Sequence, residues 1–181
     1  MQTYISVLRG INVSGQKLIK MEALRAALES LELHKVTTYI QSGNIIFQKE
    51  NSTTASLEKM IHSVIEDRFG FDVKVLVLTK EYLHSISVSN PFVNDRNEDI
   101  SFLHTTFLSA QPSDELFEKM KTVDYGTGEF ILGDKAVYLF CPKGYGNTKL
   151  SNTFFESKLK LTATTRNWKT VNELLNIANK L

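Results

Sequence analysis

A single cysteine, Cys141, occurs among 181 residues. It can form neither an internal disulfide nor a multi-cysteine metal site, which fits a reducing compartment. Proline appears three times and tryptophan once. No apolar run approaches the roughly 20 residues that a membrane-spanning helix requires. The N-terminal Met1-Gln2-Thr3-Tyr4 lacks a basic stretch leading into an apolar one, so no secretory signal is read there, and we expect a cytoplasmic protein without membrane contact. An excess of one charge is missing too: 21 basic side chains face 20 acidic ones, for a formal charge of +1. That balance speaks against a surface coated for sequence-independent phosphate attraction. What remains, 42% hydrophobic and 23% charged, is the composition of an ordinary folded domain and excludes disordered or collagen-like chains.

Periodicity divides the chain into short strands and helices. A strand over Thr3–Leu8 is followed by a loop, Arg9 to Gly15, and by a helix whose Met21, Leu24, Leu28 and Leu31 form one stripe at the helical period. Lys35–Ile40 and Asn44–Gln48 read as a hairpin around Gln41-Ser42-Gly43. A helix over Thr54–Phe69, ended by Gly70, and a strand over Val73–Leu78 complete the order βαββαβ, the ferredoxin-like arrangement of split βαβ units. A short helix over Lys80–Ser87 leads to a polar segment. The order then begins again with strand Ser101–Leu108, helix Pro112–Lys121, strands Glu129–Leu132 and Ala136–Phe140 around Gly133-Asp134, a helix near Ser151–Leu159 and a strand over Leu161–Thr165. Thr153 with Glu156, and Thr170 with Glu173, have capping spacing for the last two helices. The expectation is an α+β protein of two ferredoxin-like (βαββαβ) halves with antiparallel sheets and a C-terminal helix: residues 1–88, a linker over 89–100, and residues 101–181.

The segment Gly10-Ile11-Asn12-Val13-Ser14-Gly15-Gln16-Lys17 lies between a strand and a helix. Its glycines have the separation of a phosphate loop, but Gln16 and Leu18 stand where that loop needs lysine and a hydroxyl, and the setting lacks a parallel sheet. Nucleotide hydrolysis is therefore disfavoured. A milder role survives, in which loop amides, Arg9 and Lys17 hold an anion, beside the plain alternative that the glycines only permit a tight turn. In a split βαβ fold the loop after the first strand and the hairpin after the second emerge at one end of the sheet. Arg9, Gly10, Asn12 and Lys17 are thus expected to face Gln41, Ser42 and Asn44, a set of donors and acceptors flanked by cations. Ser42-Gly43-Asn44 also suits an ordinary hairpin turn.

In the second half the same topology brings the loop Cys141 to Lys149 near Arg166, Asn167 and Trp168. Lys143, Lys149 and Arg166, with Tyr145 and Trp168 as flat faces, could hold an anionic or aromatic ligand. The alternative makes Asn167 a helix start and Trp168 core. Residues 91–134 carry 3 basic and 9 acidic side chains and residues 135–181 carry 8 and 2. On separate faces these segments would set the later region in a local positive potential.

The runs Leu8-Arg9-Gly10-Ile11-Asn12-Val13, Tyr39-Ile40-Gln41-Ser42-Gly43-Asn44-Ile45-Ile46-Phe47 and Thr164-Thr165-Arg166-Asn167-Trp168 with Thr170-Val171 resemble the signature segments of domain-of-unknown-function family 1697. The resemblance implies a bacterial, soluble, two-part α+β protein built on ferredoxin-like halves. It supplies no catalytic residue.

Other residues carry less. Cys141 ends a strand without a neighbouring histidine, and His34, His62, His84 and His104 lack metal-ligand spacing, so no metal or cofactor is expected. Asn44–Gln48 contains nothing like the aromatic, glycine-containing motif that stacks RNA bases. The first expectation is a small anionic or polar ligand bound near Arg9 and Asn44, with nucleic-acid binding, or partner binding through sheet edges, as alternatives. No paired carboxylates or triad names a reaction, which leaves catalysis and oligomeric state open.

Overall fold

A computed structural model describes residues 1–181. The chain divides into two compact units, Met1–His84 with Glu173–Leu181, and Ser85–Asn172.

In the first unit, β1 (Gln2–Leu8), α1 (Met21–Leu28), β2 (His34–Tyr39), β3 (Asn44–Lys49), α2 (Thr54–Phe69) and β4 (Val75–Thr79) follow in order, and α3 (Lys80–Val88) begins there. The sheet runs β2-β3-β1-β4 and is antiparallel throughout. This is the ferredoxin-like order, with the first strand central and the two βαβ crossovers interleaved. Tyr4 and Leu8 of β1, Ile45 and Phe47 of β3, and Val75 and Val77 of β4 share one face and pack with Leu24 and Leu28 of α1 and Leu57, Ile61 and Ile65 of α2. The period-2 pattern of the strands and the 3.6-residue stripes of the helices meet there. α2 is closed at both ends: the Thr53 hydroxyl accepts from Ser56 N, and Gly70 at φ +71° takes the left-handed cap that a side chain would strain.

The second unit repeats the plan with α4 (Pro91–Asn94), β5 (Leu103–Leu108), α5 (Asp114–Lys121), β6 (Glu129–Leu132), β7 (Ala136–Phe140), α6 (Asn152–Leu159), β8 (Ala163–Asn167) and the start of α7 (Trp168–Asn179). Its sheet order, β6-β7-β5-β8, is the first sheet's order four strands on. The repetition extends to single hydrogen bonds. Leu8 N to Gly43 O and Arg9 N to Lys74 O have counterparts in Leu108 N to Lys135 O and Ser109 N to Thr162 O. Aromatic rings fill this core, with Phe130 edge-on to Phe117, Tyr125 and Phe155 at centroid separations of 5.8, 4.9 and 6.2 Å. No helix is long and apolar enough to cross a membrane.

Two helix starts differ from the spacing-based expectation. Ser151, not Thr153, caps α6 by accepting from Phe154 N, while Glu156 Oε1 accepts from Ala163 N at 3.2 Å. For α7 the acceptor is Asn167 Oδ1, which takes Thr170 N at 2.7 Å. Within residues 89–100, Asn90 caps α4 and Phe92 is buried.

Candidate functional site

The loop after β1 is shaped by backbone geometry that few residues adopt. Gly10, Asn12, Ser14, Gly15 and Lys17 all have positive φ. Ser14 and Gly15 sit side by side in that region between Val13 and Gln16, which form an isolated bridge, so the loop tip is a miniature hairpin with a type I′ turn. Asn12 anchors it. Its Oδ1 accepts from Ile19 N at 2.8 Å, and its Nδ2 donates to Ile19 O at 2.9 Å and to Gln41 O at 2.8 Å. The last bond ties the loop to the β2–β3 hairpin. Ile11 is buried beneath Gly43, where an added Cβ would lie 2.7 Å from Ile11 Cδ1 and 2.8 Å from Leu8 Cβ. Asn44 is buried, its Nδ2 donating to Tyr39 O and Ser42 Oγ at 3.0 Å each.

The structure thus gathers Arg9, Gly10, Asn12, Lys17, Gln41, Ser42 and Asn44 at one end of the first sheet. Asn12 with Gln41, and Ser42 with Asn44, are in direct contact. With Asn12 bonding Ile19 and Gln41 O, and Asn44 bonding Tyr39 O and Ser42 Oγ, both amides brace the loop and hairpin themselves. Lys17 Nζ donates to Asp72 O at 2.5 Å.

Beside this cluster lies an open groove of about 540 Å³. Its lining combines the amides of Asn12 and Gln41, the apolar Leu18, Ile19 and Met21, and the charged Lys20, Glu22 and Arg25. Arg25 Nη1 donates to Thr38 Oγ1 at 2.6 Å. Neither Arg25 nor Lys20 has a carboxylate partner, although Glu22 lies between them in sequence. The first turn of α1, which starts here, has no side-chain cap, and its Met21 and Glu22 line the groove, so the positive end of the helix dipole lies at the groove. Sequence reasoning missed Lys20 and Arg25. Helical phase carries the signal, since Arg25 stands four residues after Met21 and one after Leu24, at the edge of the buried stripe.

In the second unit, Arg166 is buried on β8, with Nη1 donating to Thr164 Oγ1 and Thr165 O at 3.0 Å each. Asn167 caps α7, and Trp168 is buried edge-on to Tyr138 at 6.5 Å. Lys149 Nζ lies 3.3 Å from Asp124 Oδ2. Opposite Asn167 in the β5–β8 register stands His104, stacked on Tyr145 with centroids 4.8 Å apart. Burial lowers the His104 pKa, partly offset by the Phe102 main chain. Cys141 is buried too, its thiol pushed up to about 11 by desolvation, which makes it a poor nucleophile. No three His, Cys, Asp or Glu side chains come together as metal ligands.

No curated protein matches the sequence. Among solved structures, the conserved bacterial protein SP0830 from Streptococcus pneumoniae aligns with a TM-score of 0.77 over 98% of each chain, at 23% identity, which shows a shared fold. A family model described as Protein of unknown function (DUF1697) matches residues 1–138. That stretch contains the Leu8–Val13 loop and the Tyr39–Phe47 hairpin, the two segments that build the groove's rim, and ends before Thr164–Trp168. By this match over three-quarters of its length, the chain belongs to the DUF1697 family.

Proposed function

We propose that the protein binds a small anionic or polar ligand at the end of the first sheet where the β1–α1 loop meets the β2–β3 hairpin. The observation that carries this reading is the pair of cations, Lys20 and Arg25, that border a groove without a carboxylate partner. Arg25 is held by Thr38 through one of its five donors, so the rest of its planar fork is available to a carboxylate or phosphate. Asn12 and Gln41 line the same groove. The rim is preorganised by Asn12, which lowers the ordering entropy that binding must overcome.

No nucleophile–base pair and no paired carboxylates line the groove, and the reading is accordingly one of binding. Differential scanning fluorimetry against phosphate, short carboxylates and sugar phosphates tests it. Stabilisation that disappears in Arg25→Gln supports the proposal; stabilisation unchanged in that variant, or no stabilisation by any anion, refutes it.

A further inference from the structure

We infer that the ligand of this groove is an amphiphilic monoanion, a carboxylate on an unbranched alkyl chain several carbons long, with its head at Arg25 and Lys20 and its chain along Leu18 and Met21. The inference rests on the anion reading above and adds the apolar half of the ligand.

The lining is both charged and apolar. Leu18 and Met21 line the groove together with the two cations, and Leu18 is 66% exposed. Two more large aliphatic side chains stand free on the same pinned segments: Val13, 57% exposed, next to Asn12, and Ile40, 46% exposed, next to Gln41. Single exposed aliphatics are common on folded surfaces. Here Val13 and Ile40 neighbour the groove residues Asn12 and Gln41 in sequence, and three exposed aliphatics on two loops joined by one asparagine point to a binding surface more than scatter does. Ile40 adds an independent indication. A β-branched residue at φ +50° is a backbone outlier, and here the strain holds an apolar side chain out in water.

Charge decides the head group. Lys20 and Arg25 against Glu22 leave the groove one positive charge in excess, matched by one negative charge on the ligand. A bare anion would leave Leu18 and Met21 wet, whereas an alkyl chain covers them. The groove volume falls within the range of small-molecule sites.

Titration calorimetry of the full chain with n-alkyl carboxylates from butanoate to decanoate, kept below their micelle concentrations, tests the inference beside the matching alcohols and inorganic phosphate. A fully buried methylene is worth about 0.8 kcal/mol, or about fourfold in affinity, so in this open groove each added methylene is expected to tighten binding about two- to fourfold. Alcohols bind at least tenfold more weakly. Leu18→Ser flattens the chain-length dependence, and Arg25→Gln removes the preference for carboxylate over alcohol, with both variants melting near the parent. Phosphate or acetate binding as tightly as decanoate overturns the inference while the anion site stands. No binding of any anion overturns both readings. Chain-length dependence that survives in both variants places the alkyl site elsewhere and overturns the inference, as does retention on phosphatidylglycerol vesicles without binding of free carboxylates.

Discussion

Ile40 combines a β-branched side chain, a left-handed backbone and exposure to solvent. The left-handed region costs a residue with a Cβ about 1–2 kcal/mol, and little is recovered when the side chain stays wet. Ile40→Asn, which tolerates positive φ, is therefore expected to raise stability by about 1 kcal/mol in urea denaturation; an unchanged or lower midpoint would show that the isoleucine packs usefully. Gly43 is the opposite case. Its φ of +78° excludes most side chains and Ile11 and Leu8 occupy the space a Cβ needs, so Gly43→Ala is expected to destabilise by about 3 kcal/mol. A loss under 1 kcal/mol would mean that Ile11 can move aside. The sequence marked this turn because glycine and asparagine are its usual chemistry. It could not reveal that the Asn12 and Asn44 amides brace the loop and the hairpin from within, since an amide in a loop reads the same whether it faces inward or outward. Asn12, read as a ligand donor, owes its place first to Ile19 and Gln41.

At the scale of elements, strand and helix order followed from periodicity, and the starts of helices did not. Ser151 and Thr153 are both good caps by composition. Burial of Leu150 and Phe155 sets the helix phase that selects Ser151, and burial is a tertiary fact. The segment after α3 shows the same limit. Its polar run, Asn94 to Asp99, looks like a solvated connection, yet Arg96 reaches across to β6 and β7. The guanidinium lies over Phe92 and Phe140, 5.2 and 5.3 Å from the ring centroids, and bonds Glu129 with both Nη atoms, at 2.6 and 3.0 Å, while Glu98 accepts from Nε and Nη2. Lysine can copy the charge but not the fork. Arg96→Lys is expected to lower the melting temperature, and the gap from the parent should narrow in 1 M salt as the exposed pairs are screened. A gap that ignores salt would assign the effect to ring packing.

At the scale of each whole unit, the near-neutral total charge conceals less separation than the sequence suggested. Lys149, from the basic segment, pairs with Asp124 from the acidic one, and Lys169 helps keep the Asp99 carboxyl below its usual range after the Ser101 hydrogen bonds. Acid and base are interleaved in the second unit at these points. Buried neutral groups also shape the pH profile of stability. Cys141 stays protonated to about 11 and Tyr138 to about 12 when folded, against 9.0 and 10.0 unfolded, so the unfolded chain ionises first and stability falls as pH rises above about 9. His104 acts on the acid side. Its folded pKa lies below 6.5, the unfolded chain takes up the proton more readily, and stability falls as pH drops below about 6.5. Urea midpoints from pH 5 to 11 check both flanks: Cys141→Ala should delay the alkaline decline towards pH 10, and His104→Phe should flatten the acid one. An alkaline limb identical in the cysteine variant would rule the thiol out as its cause.

The first unit is assembled from both ends of the sequence. Lys35 Nζ and Gln48 Nε2 both donate to the Leu181 main-chain oxygen, at 2.7 and 3.1 Å. On the ribosome, residues 85–172 emerge as one uninterrupted stretch, while the first unit must wait for partners synthesised more than 130 positions after Gln48. The half that is translated first is thus the half that can be completed only last, and a nascent chain halted before Glu173 would display β2 and β3 without their closing contacts.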